Sequence, residues 1–124
     1  MKERKMTYRQ LIGTKGEESA EKLLEDNGFK ILKRNYSVHN VGEIDIIAEK
    51  DLEIHIIEVR TRLNTGYYPD SAESVTGAKR NRVIKTAERF IMENDLYDRD
   101  VVFEVCRVTH DKQGNIQGID FVPF

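Results

Sequence analysis

Two short segments, Gly42-Glu43-Ile44-Asp45-Ile46-Ile47-Ala48 and Glu58-Val59-Arg60, bring carboxylates and a guanidinium into a stretch otherwise rich in isoleucine. Residues 43–50 and 53–62 read as two β-strands dominated by β-branched side chains and joined at Asp51-Leu52. With that dipeptide as the hairpin tip, Asp45 faces Glu58 and Glu43 faces Arg60. Side chains alternate along a strand, so these four project from one face, at the end of an apolar surface made by Ile47, Ile54 and Ile56. Opposed, partly buried carboxylates repel each other, and a shared proton, a nearby cation or a bound metal must offset the repulsion. Two carboxylates and the backbone carbonyl of Val59 form a hard oxygen set suited to magnesium or manganese. Such an ion holds a phosphate oxygen, lowers the pKa of an attacking water and neutralises developing charge. A cation beside it, here Arg60, stabilises a negatively charged transition state. The plainer alternative leaves Asp45 and Glu58 as ordinary strand polar residues and pairs Arg60 with Glu43 across the strands, because short motifs match often by chance.

The elements that position these residues are legible from periodicity and capping. Thr14-Lys15-Gly16-Glu17 has the spacing of a capping box, Ala20, Leu23 and Leu24 form an apolar stripe, and Asn27-Gly28 supplies a stop. The expectation is a helix over 14–27 preceded by a basic lead-in, residues 1–13. A strand over 29–38 follows, with Phe29, Ile31 and Lys33 on one face, then a turn at 39–42 and the hairpin. Residues 63–76 read as a long loop, a length that in a small domain often serves function. A second helix over 77–95 carries Val83, Ile84, Ala87 and Ile91 at helical spacing, and strands over 101–109 and 116–122 complete the chain. The order is α-β-β-β-α-β-β in a single domain spanning 1–124, an α/β fold with a mixed central sheet flanked by two helices.

Other residues carry two readings each. Glu17 is the capping partner of Thr14, or, sharing a helix face with Ala20 and Leu24, it reaches the sheet site as an outer ligand. Arg82, Lys85 and Arg89 form a basic stripe on the second helix, either solvated surface or phosphate contacts, and Lys79 near the helix start leans toward the acidic pair. Lys33, Arg34 and Tyr36 extend that basic path. Tyr67 and Tyr68 in the long loop stack on bases or merely pin the loop. His39, His55 and His110 show no ligand spacing, and Cys106 reads as an inert core thiol.

Composition narrows the classes. A chain of 124 residues and 14.4 kDa holds one core, and one cysteine excludes an internal disulfide or a multi-cysteine zinc site. No hydrophobic stretch follows the basic N-terminal residues and none reaches membrane-spanning length, which points to a cytoplasmic protein with no membrane partner. The net charge of −2 means that any nucleic-acid site is a local basic patch.

At Asp45, Glu58 and Arg60 the chain resembles the restriction-endonuclease-like superfamily, whose motif is Asp, a spacer, Asp or Glu, one residue and Lys. More closely it is similar to the YraN-like family of small bacterial proteins, and more distantly to archaeal Holliday-junction resolvases. The matching features are Gly16-Glu17 with Ala20, Lys33-Arg34-Asn35-Tyr36, Gly42 to Ala48, Glu58-Val59-Arg60-Thr61-Arg62, Lys79 with Arg82, and Asp100-Val101-Val102. The resemblance implies a restriction-endonuclease-like αβββαβ core, with Glu17, Asp45 and Glu58 around one Mg2+ or Mn2+. It further implies DNA as substrate, for which Lys79, Arg82, Lys85, Arg89, Arg62, Lys33 and Arg34 are the candidate contacts by their charge and placement. Arg60 stands where the family has lysine, which keeps the charge but closes any role as a base. The expected activity is metal-dependent cleavage of DNA phosphodiesters, on branched or processed structures. The alternatives are a nucleic-acid-binding module that keeps the fold without turnover, and a protein-interaction domain using an exposed strand edge. Cutting both strands of a duplex needs two sites, which a homodimer would supply.

Overall fold

The computed structural model describes residues 5–66 and 75–124. Its elements are α1 (Tyr8–Asp26), β1 (Lys30–Val38), β2 (Gly42–Lys50), β3 (Glu53–Leu63), α2 (Gly77–Glu93), β4 (Asp100–His110) and β5 (Ile116–Pro123). The five strands form one sheet in the order β1-β2-β3-β4-β5. Every neighbouring pair is antiparallel except β3 with β4, which run parallel and are connected through α2.

Strand alternation explains how two helices cover one sheet. Ile46, Ala48 and Ile57 point one way and pack with Ala20 and Leu24 of α1 and with Cys106 and Val108 of β4. Ile47, Ile54 and Ile56 point the other way, against Val83, Ala87 and Phe90 of α2. The sheet is therefore buried on both faces, with α1 on one and α2 on the other, the mixed α/β architecture that the element order implied. The buried stripe of α2 is Val83, Thr86, Ala87 and Phe90, whereas Ile84 and Ile91 flank it half-buried. Thr86 is accommodated there because its hydroxyl donates to the Arg82 carbonyl at 2.7 Å.

The first helix begins earlier than the capping pattern at Thr14 suggested. Thr7 is the N-cap: its hydroxyl accepts from the Gln10 N–H at 3.1 Å, and the Gln10 side chain accepts from the Thr7 N–H at 2.9 Å. Thr7-x-x-Gln10 is as good a capping box as Thr14-x-x-Glu17, and it wins because Ile12 and Gly16 continue the buried stripe of Ala20 and Leu24 upstream. Residues 8–13 thus belong to the helix, and Glu17 lies in its middle, free of capping duty. In the loop expected over 63–76, Leu63 still belongs to β3, while Tyr67 and Tyr68 lie outside the described residues.

Candidate acidic centre between β2 and β3

The β2–β3 hairpin has the expected register, Ile46 opposite Ile57 through Lys50 opposite Glu53. Asp51 and Leu52 at its tip both adopt positive φ, 51° and 66°, the pattern of a tight two-residue hairpin turn. Ladder pairing stops at Ile46 and Ile57, one step short of Asp45 and Glu58. At that step the alternation of β2 slips: Ile44 packs under α2 although Ile46 packs under α1. Asn35, between the β1 partners of Ile44 and Ile46, takes φ 49° and makes the matching kink in its own strand.

The consequence is a carboxylate in the plane of the sheet. Asp45 Oδ2 accepts from the backbone N–H of Val59 at 2.8 Å, filling the gap where β2 and β3 part. Both N–H and C=O of an extended residue point to the same strand edge, so the Val59 carbonyl also faces this gap. Burial raises the Asp45 pKa and the charges of Glu58 and Glu43 raise it further, opposed by the Val59 N–H and by Lys79.

Glu58 projects toward α2. Its Oε1 is bonded by the Lys79 ammonium from the first turn of that helix, and its Oε2 lies 3.6 Å from a guanidinium nitrogen of Arg60. Glu58 Oε2 is buried and accepts no hydrogen bond. Glu17 approaches from the opposite side, on α1. Its pKa is raised to about 7, first by burial and then by the charge of Asp45 and a hydrogen bond with it. Asp45 is thus the hinge of the cluster, meeting Glu17 on one face and Glu58 on the other.

Two glycines permit these approaches. A Cβ on Gly16 would sit 2.1 Å from Thr61 Oγ1, so only glycine lets α1 rest on β3 closely enough for Glu17 to reach Asp45. A Cβ on Gly42 would sit 2.7 Å from Thr86 Oγ1 and 3.2 Å from the Arg82 carbonyl, so its absence seats α2 against the start of β2. Gly16 and Gly42 stood in the motifs, but their physical role needs a helix on each face and is invisible in strand periodicity.

Among the described residues no three His, Cys, Asp or Glu side chains converge into a ready metal cage. The contacts explain this: Val59 holds Asp45, and Lys79 and Arg60 neutralise Glu58. Magnesium is commonly held by only one or two carboxylates while it keeps several waters. Asp45, the orphaned Glu58 Oε2 and the Val59 carbonyl fit that requirement, with Glu17 as an outer group.

The basic residues divide between the two faces. Lys79 and Arg82 border a cavity of about 270 Å³ with Glu43, Asp45 and Glu58 on the α2 side. Lys85 and Arg89 lie further along the helix, Arg89 exposed and 3.9 Å from Glu93. Arg62 lines a cleft of about 1070 Å³ on the α1 side, floored by Glu17 and Asp45. Lys33 and Arg34 do not continue a single path: Arg34 bonds Glu21 of α1 at 2.8 Å, whereas Lys33 lies beside Tyr36 and Glu93 under α2. His39 is exposed, whereas His55 on β3 pairs with Glu104 and packs edge-on to Phe29, and His110 is buried.

Fold and centre together define a mixed α/β domain, one sheet between two helices, whose acidic residues gather where β2 and β3 part. The chain belongs to the uncharacterised protein family UPF0102, whose model matches residues 16–116, the small bacterial family to which the motifs pointed. It is 41% identical over 102 residues to the UPF0102 protein of Chloroherpeton thalassium, covering 82% of this chain and 77% of the relative. The Moorella thermoacetica protein is 39% identical over 110 residues, 89% of this chain and 90% of the relative. That of Persephonella marina is 38% identical over 100 residues, 80% and 84% respectively. No helix among the described residues is long and apolar enough to cross a membrane.

Proposed function

We propose that this protein is a metal-dependent nuclease of the restriction-endonuclease-like class, hydrolysing phosphodiesters in DNA. The observation that carries the reading is the Glu58 carboxylate oxygen, buried and without a hydrogen-bond donor, beside Asp45 where the sheet opens. That oxygen has the Arg60 guanidinium 3.6 Å away but accepts no hydrogen bond, and a divalent cation would give it the direct ligand it lacks. Asp45, Glu58 and the Val59 carbonyl would hold Mg2+ or Mn2+, whose chemistry is to neutralise charge on the scissile phosphate and acidify the attacking water. Glu17, which reaches Asp45 from α1, is the carboxylate placed to take up the proton of that water, a role closed to Arg60. Lys79 and Arg60, both against Glu58, supply positive charge where the transferred phosphate becomes more negative. Lys79 and Arg82 on one side and Arg62 on the other meet flanking phosphates.

One observation favours a second reading, a DNA-binding module without turnover. Two cations already engage Glu58, and the arginine of the pair cannot be deprotonated to release it. Incubation with linear, flapped and four-way DNA in manganese separates the two, with Glu58→Ala as the control for contaminating nuclease. Cleavage abolished in Glu58→Ala supports the enzyme. Binding without cleavage, with cleavage appearing in Arg60→Lys, supports the module.

A further inference from the structure

The cleft on the α1 side has a rim that carries an aromatic ring among cations. Its wall is the first turns of α1 and the residues leading into them. On that wall Tyr8 is 60% exposed and Met6 40% exposed. Lys5 and Arg9 stand beside them, exposed, and Arg62 at the end of β3 lines the same cleft above Glu17 and Asp45. Singly exposed apolar side chains are ordinary on a protein surface. Here a ring and a thioether are gathered with three cations around one acidic floor. From Thr7 onward the wall is also firmly placed. The Thr7–Gln10 capping bonds order the first turn, Ile12 is buried, and the Lys15 ammonium donates to the Gly114 carbonyl at 2.6 Å.

Cations meet the phosphates of any nucleic acid, whereas an aromatic ring stacks on bases that are not already paired and stacked within a duplex. We infer that Tyr8, Arg9 and Lys5 hold an unpaired DNA strand, Tyr8 stacking on a base while the cations follow the backbone. The substrate of the acidic centre then carries a single-stranded segment, such as a flap or a frayed end. This rests on the DNA-directed reading above and narrows its substrate.

Fluorescence anisotropy tests it with a labelled oligothymidine and a blunt duplex of equal length, in calcium, on the parent chain, Tyr8→Ala and Tyr8→Phe. The parent binds the single strand more tightly. Tyr8→Ala weakens that affinity by roughly 5- to 150-fold, the range for removing one base–aromatic stack, and Tyr8→Phe retains it. Duplex affinity changes by less than about twofold, and circular dichroism confirms that Tyr8→Ala is folded. Single-strand affinity indifferent to Tyr8→Ala, or an equal weakening on both DNAs, overturns the inference while leaving the DNA-directed reading intact. A parent chain that binds neither DNA overturns both.

Discussion

Replacing Gly16 by alanine tests whether α1 is seated on β3 as closely as the acidic centre requires. The new Cβ would lie 2.1 Å from Thr61 Oγ1 and 3.2 Å from both Thr61 Cβ and Cγ2. Alanine gains about 1 kcal/mol of helix propensity over glycine, whereas overpacking a close contact costs about 1–3 kcal/mol. The overlap with Oγ1 is too deep for small adjustments, so the packing cost wins and the net destabilisation is about 1 kcal/mol. In a chain of this size that lowers Tm by roughly 3–5 °C. Gly13 is the control: one turn earlier on the same helix, its Cβ would meet nothing within 4 Å, so Gly13→Ala should raise Tm. Thr61→Ala removes the hydroxyl and should recover most of the stability, giving a coupling of at least about 0.5 kcal/mol in a double-mutant cycle. Thermal melts followed by circular dichroism measure all four variants. Gly16→Ala melting with the same gain as Gly13→Ala would refute the close approach, and with it the route by which Glu17 reaches Asp45.

Three further outcomes follow from the same geometry. The raised pKa of Glu17, about 7 against an ordinary 4.5, means the folded chain binds more protons than the unfolded one between those values. The stabilisation is therefore complete below about pH 4.5 and is lost as pH rises through 7; without divalent ions Tm should fall across that window, and Glu17→Gln should flatten the slope. Lys79 competes with any cation for Glu58, so Lys79→Met should tighten manganese binding by about two- to fivefold, the equivalent of roughly 0.5–1 kcal/mol, as read by calorimetry. Replacing Arg82, Lys85 and Arg89 by glutamine should reduce the slope of log DNA affinity against log salt by roughly one unit for each phosphate that is no longer neutralised. An unchanged slope assigns the stripe to solvent.

The hairpin carrying the centre was legible because period-two alternation and a two-residue tip dictate which residues oppose, and Ile46 does stand opposite Ile57. The departures arise where local patterns compete or where the third dimension intervenes. Two capping boxes precede the same stripe, and the choice between them turns on Gly16, which packs without a side chain that a hydrophobic pattern would register. Strict alternation puts Asp45 and Glu58 on one face. The slip at Asp45, with Asn35 in a left-handed conformation beside it, turns Asp45 into the plane and brings Glu17 and Glu58 to it from opposite faces. Lys33 and Arg34, neighbours in the chain, diverge to the two helices because consecutive strand residues point apart. Lys5, Tyr8 and Arg9 could join the cleft only once α1 was seen to begin at Tyr8.

The central claim is that Asp45, Glu58 and the Val59 carbonyl form a divalent-cation site. Calorimetric titration of manganese into the parent chain, Asp45→Asn and Glu58→Gln at a mildly alkaline pH, where Glu17 is mostly ionised, addresses it without requiring any substrate. One ion per chain in the parent, weakened at least about tenfold in each variant while thermal melts show both still folded, is the expected result. A parent that takes up no manganese, or variants that bind it as tightly as the parent, would contradict the assignment.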